Sequence, residues 1–227
     1  MTGLHGQGTL RPLYEMTGSK TLCERDFSMT SNFFAALSRM KYIERWALMR
    51  SSRPENLSEH AMEVAVIAHA LCTIGNIRYK KQLNADRAAV VGLFHDASEI
   101  ITGDMPTPVK YYNEELRRAY REVEAVAGLR LLSKLPQELR PSYKEIFEVP
   151  AQPDAAEHYL RRLVKAADKL SALIKCIEEE KAGNSEFRTA KATIQSAVDR
   201  LSEELPEVGD FVREFLPPYG QTLDELS

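Results

Sequence analysis

Along most of this chain apolar residues recur at intervals of three and four, the spacing of one buried helical face, and the repeat becomes regular only after Ser31. Ser31 as N-cap with Phe33, Phe34, Leu37 and Met40 predicts a first helix ending near Tyr42. Residues 43–54 keep no period and hold the single tryptophan, Trp46, with Arg45, Arg50, Arg53 and Pro54, the content of a binding loop. Asn56 followed by Glu59 is a capping box, and Ala61, Val64, Ala65, Ala68, Leu71 and Cys72 form the stripe of a second helix, broken at Gly75-Asn76. Asn84 caps a third helix whose face is Ala88, Val91, Gly92 and His95, running to Thr102-Gly103 and stopped before Pro106.

The second half continues in the same way. Leu116, Ala119, Tyr120, Val123, Val126 and Ala127 mark an amphipathic helix over about 113–133, and two short helices are expected at 136–140 and 141–148. Asp154 starts a long core helix through Leu160, Leu163, Val164, Ala167, Leu170, Ile174 and Ile177 to Gly183. Ser185 caps a last long helix, with Phe187, Ala190, Ile194, Ala197, Val198 and Leu201, which Pro206 breaks ahead of a short helix over 210–216. No strand pattern, repeat or second core intervenes, so the expectation is one all-α domain over 29–227. Residues 1–28 carry five glycines and prolines without a period and read as a loose extension, with Met29 an alternative start of translation.

Composition changes this picture little. Hydrophobic residues at 44% and charged ones at 28% are ordinary for a globular chain, and a net charge of -3 gives no general pull toward a nucleic-acid polymer or an anionic membrane. No apolar run is long enough to span a membrane. Cys23, Cys72 and Cys176 are odd in number and lack a Cys-x-x-Cys spacing, so a disulfide framework is not expected and a reducing cytoplasm is.

The chemistry lies in four polar residues set among alanines and aliphatics: His60, His95, Asp96 and Asp168. An imidazole or carboxylate is costly on such a face unless something pairs with it, and a divalent cation pairs with all four. His95 and Glu99 are four apart and Asp96 and Glu99 three, so these three share one side, and the proline-stiffened turn from Gly103 to Pro108 keeps Asp104 near that helix end. His69, half a circle from His60, faces outward, and His5 and His158 read as surface residues.

His60, His95-Asp96 and Asp168 resemble the H…HD…D signature of the HD-domain metal-dependent phosphohydrolases. The blocks 45–50, 55–60, 95–99 and 102–110, in that order, resemble the bacterial 5'-deoxynucleotidases of that superfamily, over about residue 32 to the C-terminus. The resemblance implies a single-domain HD-type helical bundle around one metal ion, hydrolysing deoxyribonucleoside 5'-monophosphates to deoxynucleoside and phosphate. It implies Glu99 as general acid/base, Arg45 on the phosphate, and Trp46 and Asp104 at the sugar; read alone, Trp46 is a core anchor and Asp104 a turn residue. Arg50, Arg53 and Lys110 are either additions to a phosphate pocket or solvated surface. Mixed nitrogen and oxygen donors favour Co, Mn, Fe or Zn over Mg. A homodimer is expected from the family. The competing readings are an HD hydrolase of deoxynucleoside triphosphates or cyclic nucleotides, and a non-catalytic regulatory HD module.

Overall fold

A computed structural model describes residues 30–110, 112–150 and 152–227, and both the fold and the candidate site belong to the unit Ser31–Ser227. The extension expected over 1–28, the alternative start at Met29, Cys23 and His5 lie outside the described residues. Among those residues the chain forms α1 (Phe33–Leu37), α2 (Leu57–Arg78), α3 (Ala85–Phe94), α4 (Glu99–Thr102), α5 (Thr107–Lys110), α6 (Glu114–Leu132), α7 (Arg140–Phe147), α8 (Ala155–Lys181), α9 (Arg188–Glu204) and α10 (Pro206–Glu214). Extended pairing among them is limited to one antiparallel bridge, Glu44 with Asn56. The all-α expectation holds.

The long helices α2 and α8 make the centre, with Val64, Ala68 and Leu71 packed in one cluster with Leu163, Ala167 and Leu170. Each of the Val and Leu side chains among them, fully removed from water, contributes about 1.5 to 3 kcal/mol. Helix α3 packs on both, and α9 and α10 cover α8 and the end of α2. A second cluster of Phe33, Ala97, Leu131, Leu132 and Leu135, with Phe94, Tyr143 and Phe147 against it, ties α1, α6 and α7 around the end of α3. A Cβ at Gly92 would stand 2.9 Å from the Ala65 backbone. Its absence allows the close α2–α3 crossing that sets the His60 and His95 rings 5.2 Å apart.

Several expected boundaries move, each for a local reason. Helix α2 runs through Gly75 to Arg78, because Gly75 is needed for close packing, a Cβ there meeting Glu207 Oε1 at 2.9 Å, rather than as a stop. The third helix does not continue from Ala88 to Thr102: α3 ends at Phe94, and residues 95–98 form a tight turn before α4. The His95 ring takes the Gly92 carbonyl at 2.7 Å, which competes with the regular backbone ladder. Residues 136–139 form no helix of their own, Asn184 rather than Ser185 caps the turn before α9, and Pro206 opens α10, where its missing N–H costs nothing.

Candidate metal centre

The capping box at the start of α2 forms as expected: the Asn56 side chain accepts from Ser58 N and Glu59 N, and Glu59 accepts from Asn56 N. One turn later His60 is wholly buried against α8. His95 sits at the C-cap of α3, Asp96 follows it in the turn, and Asp168 lies in the middle of α8. One donor atom each of His60, His95 and Asp168 lies within 4.8 Å of the other two. His60 Nε2 stands 3.3 Å from Asp168 Oδ1 and 3.6 Å from Asp96 Oδ2, and His95 Nε2 is 2.9 Å from Asp96 Oδ2. All four residues expected as metal ligands meet in one place.

The electrostatics of the cluster call for positive charge. Both Nε2 atoms are buried and find no partner with hydrogen-bond geometry among the described residues, although carboxylate oxygens face them. Burial, with Arg45 nearby, pushes His60 below its ordinary value and keeps it neutral. Burial pushes His95 the same way, but the charges of Asp96 and Asp168 outweigh it and raise it to about 9. Two imidazole nitrogens and two carboxylates converging in one place fit a divalent cation of the borderline transition series.

Glu99 opens α4 beside this cluster, 5% exposed, with Oε2 lacking a hydrogen-bond partner among the described residues. Burial first, then the charges of Asp96 and Asp104, push its carboxyl up to about 9. In the metal-free protein it therefore holds a proton at neutral pH, the state a general acid requires.

Arg45 and Trp46 are delivered by the 43–56 loop, which is closed at its base by Arg45 N donating to Glu55 O and Leu57 N donating to Ile43 O, both at 2.9 Å. One carboxylate orients both side chains: Glu55 Oε2 accepts from Arg45 Nε at 3.3 Å and from Trp46 Nε1 at 2.8 Å. Arg45 then points Nη1 to within 3.7 Å of Asp96 Oδ2. Trp46 has φ 60°, a left-handed conformation costly for a bulky residue, held by Glu55 and by its ring packing on Phe187 at 5.2 Å. Asp104 is close enough for its charge to act on both Arg45 and Glu99. Arg50, Arg53 and Lys110 pair with Glu186, Glu59 and Glu124, so their charge is already engaged. His69 is exposed near Asp86, and His158 is exposed on the rim of a cavity.

That cavity, about 690 Å³, opens on His95, Asp96 and Asp168 between α3, α6, α7 and α8. Phe94, Phe147 and Val149 wall it, and Lys165 reaches its edge. Arg45, Trp46, Glu99 and Asp104 do not line it.

Sequence reasoning missed the residues that hold these groups in place. Glu55 stood out only as part of a motif block. Ser171 and Glu63 follow ligands by three residues, Asp168 and His60 respectively, and that helical spacing was the available signal. The buried Lys175–Glu179 pair, which anchors the 50–54 loop, left no pattern distinguishable from a surface i, i+4 pair.

A family model described as 5'-deoxynucleotidase YfbR-like matches residues 32–219. A 5'-deoxynucleotidase of Erwinia tasmaniensis is 45% identical over 198 residues, covering 87% of this chain and 96% of the relative. One from Yersinia pseudotuberculosis is 44% identical over 201 residues, covering 87% and 97%. Among solved structures, an HD-domain phosphohydrolase from Listeria innocua superposes with TM-score 0.71 at 24% identity, over 85% of this chain and 90% of that one. The HD phosphohydrolase of cyanophage S-2L, bound to dA and one catalytic Zn²⁺ ion, gives TM-score 0.59 at 20% identity, over 82% and 95%. These two likenesses concern the fold.

Proposed function

This chain belongs to the YfbR-like 5'-deoxynucleotidase family, and from that premise we propose how it hydrolyses deoxyribonucleoside 5'-monophosphates to deoxynucleoside and phosphate. The observation that carries the proposal is the pair of buried imidazole Nε2 atoms aimed at the carboxylates of Asp96 and Asp168, neither with a partner of hydrogen-bond geometry among the described residues. His60, His95, Asp96 and Asp168 hold one divalent cation. Bound there, it polarises a phosphoryl oxygen and lowers the pKa of a water molecule.

The remaining work falls to side chains. Arg45 presents its guanidinium to the phosphate, a planar fork suited to two oxygens. Glu99 gives its proton to the leaving O5', so that the nucleoside departs as an alcohol, and then takes one from the attacking water's side. Trp46, held rigidly by Glu55 and Phe187, fills the space a 2'-hydroxyl would need, and Asp104 accepts from the 3'-hydroxyl. The donor set favours Co, Mn, Fe or Zn, and the zinc of the cyanophage relative is consistent with that choice.

Two wider parts of the reading have separate support. A homodimer would cover Met62 and Val66 of α2 and Val90 and Leu93 of α3, exposed apolar residues on faces that adjoin where His69 meets Asp86. A solution mass of one chain at micromolar concentration would remove that part. A reducing cytoplasm suits Cys72 and Cys176, both free and buried, their thiols pushed up to about 12 by burial.

The test is phosphate release from ribo- and deoxyribonucleoside 5'-monophosphates with Co²⁺, Mn²⁺, Zn²⁺ or Mg²⁺ supplied, Asp96→Ala serving as the control. Release from deoxynucleotides, weaker with Mg²⁺ and lost in the control, is expected. In the same assay Trp46→Ala should narrow the deoxy-over-ribo preference while cation binding is kept. No release from any deoxynucleotide would overturn the reading, and tripolyphosphate from a triphosphate or a linear product from a cyclic nucleotide would redirect it.

A further inference from the structure

We propose that Ser171 and Glu63 are positioning residues that fix the tautomer of His60 and so keep its Nε2 lone pair turned toward the cation site. The inference rests on the metal-binding reading above and comes from counting protons along a chain of three side chains. Ser171 Oγ is buried, 3.0 Å from His60 Nδ1 and 2.5 Å from Glu63 Oε2. A hydroxyl has one proton and two lone pairs, and an ionised carboxylate can only accept. Ser171 therefore donates to Glu63, and toward His60 it has only a lone pair to offer. His60 Nδ1 must carry the ring proton and donate it to Ser171. With the ring proton on Nδ1, the neutral imidazole turns a bare Nε2 toward Asp168 and Asp96.

The direction of this relay is what matters for binding. Were Ser171 to donate to Nδ1 instead, the ring proton would move to Nε2 and point at Asp168 and Asp96, where a cation could enter only by displacing it. No neighbour replaces the relay at its present distance: Glu55 Oε1, the other acidic atom near Nδ1, is 4.0 Å away, beyond hydrogen-bond reach. At His95 the partner of Nδ1 is instead the Gly92 carbonyl, an acceptor that cannot donate back. The two ligands differ in that His60 depends on a reversible hydroxyl and His95 on a fixed acceptor. Outer partners of this kind commonly change metal affinity by about ten- to a hundredfold.

The test uses metal-free, ¹⁵N-histidine-labelled full-length protein at pH 8.5, where Glu63, raised by burial to about 7, is ionised. Long-range ¹H–¹⁵N correlation spectra report which His60 nitrogen is protonated, and a Co²⁺ titration followed by visible absorption reports affinity. The wild type should show Nδ1–H at His60. Ser171→Ala, which leaves the charge of the site unchanged, should lower Co²⁺ affinity at least tenfold, and Ser171→Thr, which keeps the hydroxyl, should restore it to within threefold of wild type. Glu63→Leu should shift the His60 signals toward Nε2–H. An Nε2–H wild type, or Ser171→Ala affinity within twofold of wild type, overturns the inference whether or not every variant folds well. A failure of wild-type protein to bind Co²⁺ at all would instead strike the metal-binding reading, while the spectra still decide the tautomer.

Discussion

Helix α8 carries two acidic regions three helical turns apart, at the half-buried Asp168 and the buried Glu179, and they settle a carboxylate on an apolar helix in opposite ways. Every demand of Glu179 is met by the protein itself: Lys175 Nζ at 2.5 Å, Ser52 N at 2.7 Å, Arg53 N at 3.3 Å and Asn184 Nδ2 at 2.7 Å. Burial alone would raise its pKa, but these donors win and hold it at about 2. Around Asp168 only Lys169 Nζ, at 3.0 Å from Oδ2, donates from a lysine; the other facing atoms are imidazole nitrogens and another carboxylate, and two of those nitrogens have no hydrogen-bond partner among the described residues. One region is a closed latch that ties the loop bearing Arg45 and Trp46 to α8. The other is left open for a cation. The sequence singles out Asp168 by its place among small apolar residues; in the structure the difference is that four donors close on Glu179, while Asp168 has Lys169 on one oxygen and imidazole nitrogens facing the other.

The sharpest way to break this comparison is to remove each carboxylate and see which property fails. Asp168→Asn should cost at least about a hundredfold in phosphate release, because a ligand contributes more than the outer partners whose loss costs ten- to a hundredfold. Metal content by mass spectrometry should fall with it, and the urea midpoint of the metal-free protein should change little. Glu179→Ala should do the reverse. It strands Lys175, which is 6% exposed, as an uncompensated buried charge, a loss on the order of 3 to 5 kcal/mol in urea unfolding. Cation binding should persist in that variant, with KM raised as the 50–54 loop loosens, and replacing Lys175 by Met in the same chain should recover much of the stability. A Glu179→Ala protein as stable as wild type would show that the latch is not structural.

The cluster was legible because charged residues on apolar helix faces need a reason, and distance along the chain does not weaken that argument: His60, His95, Asp96 and Asp168 come together in the structure. The fold class was legible from the three- and four-residue period of α2, α6, α8 and α9. Turn geometry at the motif was not, because the end of α3 depends on the His95 ring capturing the Gly92 carbonyl, a side-chain event with no periodicity. Nor was Gly75 readable as a packing glycine, since the Glu207 it approaches comes from α10. Trp46 illustrates the limit best. Its left-handed backbone and its bond to Glu55 depend on loop closure at Glu44 and Asn56, which no local pattern announces.

Glu99 sharpens the comparison most finely, because it and Glu179 should give stability slopes of opposite sign with pH. For Glu179 the folded pKa of about 2 lies below the ordinary 4.5, so the unfolded chain binds the proton first on acidification; its contribution is complete above 4.5 and is lost as pH falls toward 2. For Glu99 the folded pKa of about 9 lies above 4.5, because burial and the charges of Asp96 and Asp104 oppose ionisation. Between 4.5 and 9 the folded state keeps a proton that the unfolded chain has released, so stability falls as pH rises through that window. Glu99→Gln replaces the carboxyl with a neutral group of the same shape and should remove that fall. Metal-free Glu99→Gln should melt slightly higher than wild type at pH 8 and no higher at pH 4, while phosphate release is lost at both, the trade-off expected where a strained group is kept for function. Equal melting temperatures at pH 8 would mean that Glu99 ionises as freely in the folded chain as in the unfolded one, and its assignment as a proton donor would fall with that result.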